Sequence, residues 1–193
     1  DLLARESIMF SRFFSLLGGL AAVMSVSSGL AVSDVQAASR DDVFFGSVAG
    51  TWSGPGEIVA GKYKGTKFNC DLTGEPLGEK ETGIKLGGTC RVGVFKQPMS
   101  AIIAKKGSGY EGKFLDGSEG KGLDVTSGQV SGDKVVLGIN RAKLNGAMVA
   151  RVMEDNKSMN ITISVKVADQ MIPVIGLTLA RNVDSMAVGS IKP

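Results

Sequence analysis

The residue types that most often carry acid–base and nucleophilic chemistry are scarce in this chain of 193 residues. Histidine is absent, which removes the commonest general base and every Ser-His-Asp or Cys-His arrangement. Asp116, Glu119 and Asp124 lie in one loop region, where they could form an acid–base pair or a calcium site. The glycines and serines around them are more typical of a solvated turn. We therefore expect no catalytic residue, no metal ligand and no cofactor, and we expect that the protein is not an enzyme.

Residues 1–37 have the features of a leader that contains a secretory signal peptide. Met9 is followed by a short basic region, an apolar run over residues 13–24 and small side chains at the positions that precede cleavage after Ala37 or Ala38. The apolar run is shorter than the ~20 residues that a transmembrane helix needs. We expect a mature domain over residues 38–193 that is periplasmic or secreted and has no transmembrane anchor.

The only two cysteines, Cys70 and Cys90, fit such a compartment. An even pair in an exported protein predicts one disulfide bond. Both cysteines lie on the apolar faces of predicted strands, and the midpoint between them falls in the polar turn over residues 78–82. A hairpin that folds at this turn brings the two residues opposite each other. Two independent buried thiols are the alternative, while the spacing and the lack of histidine exclude a zinc site.

Period-two alternation of apolar and polar residues dominates the chain after residue 50. It indicates antiparallel strands that are apolar on one face and polar on the other. Their spacing of about 8–12 residues, with turns between them, is typical of a sandwich or barrel. We predict an all-β fold, a single antiparallel up-and-down β-barrel of eight to ten strands, preceded by the signal peptide. The predicted strands include residues 66–73, 83–95, 99–106, 110–115, 122–130, 133–141, 146–154, 160–168 and 171–181.

Two local features refine this prediction. Asn145-Gly146 has the residue types of a two-residue hairpin turn. Residues 39–49 are predicted to form a short helical turn or an apolar lead-in to the first strand, and no helix of three turns is expected after the leader except near residues 141–149. The chain has 27 glycines, and most of those after the leader fall within or between the predicted strands, where they permit bulges and tight bends rather than phosphate binding.

Charge gives no indication of a nucleic-acid partner. The formal net charge is +3, the charges are scattered, and the longest basic cluster is Lys105-Lys106. An outer-membrane barrel is also disfavoured, because aromatic residues make up only 6% of the chain and are too few for two interfacial girdles.

The sequence resembles the lipocalin/avidin-type exported barrels in two short motifs. Gly50-Thr51-Trp52 opens the first strand, and Arg181 closes the last. The resemblance implies that Arg181 lies across Trp52 as a cation–π contact that plugs one end of the barrel. The aromatic ligand-binding positions of avidins are missing, so biotin binding is not implied. A second resemblance is to periplasmic barrels that inhibit proteases or lysozyme, which also carry one disulfide.

Two functions follow from this architecture, and a structural envelope protein is a third possibility. In the first, the barrel carries a small apolar or amphipathic ligand. In the second, the interior is filled and the outer surface binds a protein partner, for instance as an enzyme inhibitor. A dry, continuous cavity of roughly 300 Å³ or more would favour the first, and a packed interior with an exposed apolar patch would favour the second. Its predicted lining consists of inward-facing residues: Phe68, Leu72, Leu86, Val92, Ile103, Leu137, Val152 and Ile163.

Overall fold

The computed structural model describes residues 33–78, 80–115 and 122–182, which form one helix and ten strands. The helix α1 spans Ser33–Val48. The strands are β1 (Gly50–Ile58), β2 (Lys67–Pro76), β3 (Gly83–Val92), β4 (Phe95–Lys106), β5 (Gly109–Leu115), β6 (Leu123–Ser131), β7 (Lys134–Arg141), β8 (Leu144–Val152), β9 (Ser158–Val167) and β10 (Gln170–Arg181).

The ten strands close into one antiparallel barrel. Each strand pairs with the next along the chain, and β10 pairs with β1 to complete the ring. Closure leaves no sheet edge exposed to another chain. The predicted fold class is confirmed, at the upper end of the expected strand number.

The up-and-down order gives the barrel two distinct ends. The turns β2–β3, β4–β5, β6–β7 and β8–β9 lie at the end where β1 begins, next to α1, and we call this the helix end. The turns β1–β2, β3–β4, β5–β6, β7–β8 and β9–β10 lie at the other end, which we call the open end.

The helix α1 corrects the expectation that no helix of three turns follows the leader. It has 16 residues, and its last two turns bury Phe44, Phe45 and Val48 in the barrel core. Together with Asp41 these residues follow the i, i+3, i+4, i+7 spacing of a helix face. The apolar part of this pattern covers little more than one turn, and such a short helix gains its stability from packing against the barrel rather than from its own sequence.

The predicted turn at Asn145-Gly146 is wrong. The chain turns at Ala142-Lys143, where Ala142 has a φ of 53°, and both Asn145 and Gly146 belong to β8. The observed register pairs Leu137 with Met148, so that apolar side chains oppose each other on the inner face. A turn at residues 145–146 would instead place Lys143 opposite Met148. Burial of the apolar face therefore decides the register over the local turn preference.

The predicted strand over residues 83–95 is in fact the end of one strand and the beginning of another. β3 ends at Val92, Gly93 adopts a φ of 57°, and β4 begins at Phe95. The turn between β3 and β4 needs a residue with a positive φ, and glycine adopts this conformation without steric cost.

The predicted hairpin at residues 78–82 is present, with the cysteines in the predicted register. β2 ends at Pro76 and β3 begins at Gly83. Cys70 and Cys90 are directly opposite each other and form a disulfide bond. The disulfide is confirmed.

The predicted leader lies mostly outside the described residues, which begin at residue 33. The predicted cleavage position after Ala37 falls within α1. The structure does not test cleavage, which remains a prediction. Among the described residues, no helix is both long and apolar enough to span a membrane.

Candidate functional site

Trp52 closes the barrel at the helix end. Its side chain is fully buried, at 0% exposure, and its Nε1 donates a hydrogen bond to the backbone carbonyl of Val48 at 2.8 Å. Trp52 is the third residue of β1, close to the end of α1 at Val48, and its side chain faces inward. The indole thus fills the core and satisfies a carbonyl that the helix leaves unpaired at its C-terminus.

Arg181 lies over the tryptophan ring and links three segments. Its guanidinium carbon is 4.1 Å from the centroid of the Trp52 ring. The guanidinium nitrogens donate to the carbonyls of Ser47 and Ala49, and Nε donates to the carbonyl of Asn156 at 2.7 Å. A cation at the C-terminus of a helix is favoured by the helix dipole. Arg181 therefore attaches α1 to the end of the barrel as well as covering the indole.

A second group of contacts holds the other side of α1. The Asp41 carboxylate accepts hydrogen bonds from Lys105 Nζ at 2.8 Å and from the Tyr110 hydroxyl at 2.7 Å. The Phe45 ring packs against the Tyr110 ring with centroids 5.4 Å apart. Burial first, and then the hydrogen bond to Asp41, raise the pKa of Tyr110 above its ordinary value. Tyr110 consequently stays protonated and donates to the helix.

Between α1 and the open end the barrel contains an apolar cavity of about 190 Å³. Its wall has contributions from the helix and from most of the strands, and apart from Gly87 and Ser100 it consists of apolar residues and the two bonded cysteines. The apolar residues of the wall are Phe44, Phe45, Val48, Phe68, Leu72, Ile84, Leu86, Met99, Ala101, Ile103, Phe114, Val135, Met148, Ala150, Met159, Ile161, Ile163, Ile175 and Leu177.

The exposure of inward-facing residues shows on which side the cavity approaches solvent. At the helix end, Ile84, Ile103 and Met159 are buried. Toward the open end, Phe68 and Ile163 are partly exposed although they line the same cavity. The cavity is therefore stoppered by α1 and reaches toward the open end.

Five of the eight predicted lining residues are on the cavity wall. These are Phe68, Leu72, Leu86, Ile103 and Ile163.

The other three predicted lining residues lie elsewhere. Leu137 and Val152 face inward, but they are packed into the filled part of the core, at 0% and 2% exposure. Val92 lies beyond the wall, near the tip of the β3–β4 hairpin, and is 45% exposed. Alternation shows on which face of a strand a residue lies, but not how high it lies along the barrel axis, and for this reason Val92 was expected on the wall.

Three residues of the wall were missed by the strand pattern because they belong to the helix. Phe44, Phe45 and Val48 form the stopper of the cavity, and their spacing with Asp41 was the only sequence signal for it. Met99, Met148 and Met159 also line the cavity, as unbranched side chains that adapt to irregular space. Met153 and Met171 are exposed instead.

The wall has no titratable side chain apart from the bonded cysteines, so binding there depends on apolar burial and dispersion. Elsewhere, no three His, Cys, Asp or Glu side chains among the described residues are grouped as metal ligands. Of the three loop carboxylates, Asp116 and Glu119 are outside the described residues, while Asp124 lies 3.9 Å from Lys113 Nζ in an exposed ion pair.

Comparison with known proteins supports the architecture. No protein-family model matches the chain, and no curated protein matches it in sequence. Among solved structures, the crystal structure of Rv2717c from M. tuberculosis is similar, with a TM-score of 0.52 and 14% identity over 70% of this chain and 93% of that one. At this identity the likeness concerns the fold alone. The protein is thus a ten-stranded antiparallel β-barrel with a helix-stoppered apolar cavity.

Proposed function

We propose that the protein is an exported, non-enzymatic binding protein that carries a small apolar or amphipathic molecule inside its barrel. The observation that supports this is the cavity of about 190 Å³, whose wall is apolar on every side. An empty apolar space of this kind costs stability, because the side chains around it lack contact partners. A ligand would restore those contacts.

The volume of the cavity limits the size of the ligand. An engineered apolar cavity of about 150 Å³ stays dry and binds benzene or xenon. Pockets for drug-sized molecules are larger, at roughly 300–1,000 Å³. A ligand with one aromatic ring or a short alkyl chain therefore fits the present cavity. A polar group on such a ligand would extend toward the open end, where the wall residues become partly exposed.

Three features support the non-enzymatic and exported parts of the proposal. The chain has no histidine, and the cavity wall offers no general acid or base. The Cys70–Cys90 disulfide suits an oxidising compartment such as the periplasm or the extracellular space. The predicted leader over residues 1–37 is the sequence feature that would direct the chain there.

The alternative is a lipocalin-like barrel with a filled interior that binds or inhibits a protein. The tryptophan–arginine plug agrees with the lipocalin resemblance, and the core around Trp52, Leu137 and Leu179 is filled. The other half of the interior holds the cavity, however, which a filled barrel would not require. The cavity does not reach the roughly 300 Å³ expected for a carrier of drug-sized ligands, but it can hold a molecule with one ring or a short alkyl chain. We propose ligand carriage with that limit on ligand size.

Binding of benzene tests the proposal directly. Ligand at ten times its Kd should raise the melting temperature by about 3–6 °C. Ala150 is buried on the cavity wall, so Ala150→Leu fills part of the space and should abolish this rise. Ala180→Leu makes the same change at an exposed position and should retain it.

Ala101→Leu provides a second cavity-filling variant in case Ala150→Leu folds poorly. Native mass spectrometry of protein recovered from an exporting host would in addition detect a ligand that co-purifies. Failure of benzene to stabilise the wild type, together with the absence of any co-purified mass, would refute ligand carriage. Equal stabilisation of Ala150→Leu and the wild type would show that benzene binds elsewhere.

A further inference from the structure

Exposed apolar side chains are concentrated at the open end of the barrel. Of the thirteen large hydrophobic residues that are exposed in the described part of the chain, nine lie on the turns or strand ends there. They include Tyr63, Val94, Phe95, Leu144 and Met171. The four that lie elsewhere are Val43, Ile102, Val136 and Met153. Large apolar groups gathered on one surface usually mark a site of interaction.

The β3–β4 hairpin carries the most exposed members of this group. Val94 is 88% exposed and Phe95 is 77% exposed. The pairing of β4 with β5 begins only at Ser100, and every residue from 91 to 98 is exposed, so the tip extends beyond the end of β5. Neither side chain at this tip covers the core or the cavity, and fold stability does not explain them.

Lysines accompany the apolar tips at the same end. Lys62 and Lys64 flank Tyr63, Lys96 follows Phe95, and Lys143 precedes Leu144. All four are exposed, and none of them forms an ion pair with a described residue. The acidic residues on the described turns and strand ends here are Glu57, Asp124 and Asp169. Asp124 lies 3.9 Å from Lys113 Nζ and Asp169 lies 4.0 Å from Lys166 Nζ. Lys62 Nζ lies 5.4 Å from the centroid of the Tyr63 ring. We call these apolar tips and the four lysines the open rim.

We infer that the open rim docks on the surface of an anionic phospholipid bilayer. Apolar tips can enter the boundary between headgroups and acyl chains, while adjacent lysines contact anionic headgroups. A second copy of the chain fits less well, because two open rims facing each other would bring like charges together. Charge complementarity therefore selects an anionic surface as the occupant.

Docking through the open rim would also set the orientation of the cavity relative to the membrane. The cavity reaches toward the open end, so a barrel seated on its rim would turn the cavity toward the membrane, where apolar molecules partition. This inference goes beyond the proposed ligand carriage and does not require it. Vesicle binding needs no occupied cavity, and Ala150→Leu should leave it unchanged.

Orientation on the membrane can be read with tryptophan variants and brominated lipids. F95W places an indole at the hairpin tip, and M153W places one at an exposed position of the helix end, while Trp52 is a constant buried background. With vesicles of brominated phosphatidylcholine and 30% phosphatidylglycerol, we expect the added fluorescence of F95W to be quenched and that of M153W to persist. The full chain is expressed in each case and its N-terminus is determined, so that any leader is common to both.

The lysines give an independent test by co-sedimentation with the same vesicles. Each lysine near an anionic surface contributes about fivefold to the partition coefficient, so K62E/K64E/K96E should lower it more than a hundredfold. The control is K80E/K157E at the helix end, where both lysines are also exposed; it replaces two lysines rather than three, and it should bind like the wild type. Binding should also weaken with added salt and with vesicles of phosphatidylcholine alone.

Several outcomes would overturn the inference. Equal quenching of F95W and M153W would show that the chain associates with vesicles without a preferred end. Binding that is insensitive to K62E/K64E/K96E would remove the charge complementarity. A dimer in analytical ultracentrifugation that V94S/F95S dissociates would identify a second copy as the occupant. By contrast, loss of benzene binding in Ala150→Leu with vesicle binding intact would support the inference and separate it from the proposed function.

Discussion

Arg181 and Trp52 are opposite each other in the register of β10 and β1, and the guanidinium carbon lies 4.1 Å from the indole centroid. The pair joins the two strands that close the barrel. Because the same two side chains hydrogen-bond to carbonyls at the C-terminal end of α1, closure of the barrel and docking of the helix depend on one contact.

Replacing this arginine should loosen both features. Arg181→Met keeps the aliphatic part of the side chain but removes the cation and its hydrogen bonds, so we expect a loss of about 2 kcal/mol in the free energy of unfolding. Urea denaturation followed by circular dichroism measures it. Arg151→Met is the control, since Arg151 forms an exposed ion pair with Asp133 at 3.6 Å and should change stability by less than about 0.5 kcal/mol. Equal effects of the two changes would contradict the role given to Arg181.

The raised pKa of Tyr110 should make the free energy of unfolding depend on pH in the alkaline range. Its pKa is raised in the folded state from an ordinary value of 10.0, so the unfolded chain releases the hydroxyl proton first as pH rises. The unfolded state then binds fewer protons than the native state, and the free energy of unfolding falls above about pH 10. Below that pH the contribution is fully present. Tyr110→Phe should show a shallower decline between pH 10 and 11 than the wild type, measured by urea denaturation. Parallel pH profiles would contradict the prediction.

The disulfide should stabilise the barrel without being needed for its formation. It closes a loop between residues 20 positions apart, and such a loop contributes about 3 kcal/mol by restricting the unfolded chain. We expect C70A/C90A to keep its far-ultraviolet circular dichroism and to unfold at lower urea concentration. Reducing agent should weaken the wild type to a similar extent and leave C70A/C90A unaffected. A wild type that is insensitive to complete reduction would argue against this contribution.

Gly54 marks a place where two strands approach too closely for a side chain. A Cβ added there would collide with the backbone carbonyl oxygen of Thr178 on β10. Backbone cannot yield as a flexible side chain does, so Gly54→Ala should cost about 1–3 kcal/mol. Gly176→Ala on the same pair of strands meets nothing within 4 Å and should be nearly neutral. Thermal unfolding of both variants provides the comparison, and similar melting temperatures would rule out the proposed collision.

The sequence by itself determined the features that depend on local alternation. Period-two patterning indicated the antiparallel barrel, and the shared parity of Cys70 and Cys90 about a polar turn indicated their bond. The inward face of residues such as Phe68 and Ile163 followed from the same rule. Alternation is a property of neighbouring residues, so it can be read along a single chain.

Only the tertiary structure decided the features that depend on residues far apart. The turn at Ala142-Lys143 was selected by apolar pairing across β7 and β8, against the preference of Asn145-Gly146. Phe44 and Phe45 close one end of the cavity because they pack against the apolar side chains at the helix end of the barrel. The cavity exists because the side chains that converge from many strands do not fill the space beneath that stopper. A volume left over between distant residues has no signature in any one segment.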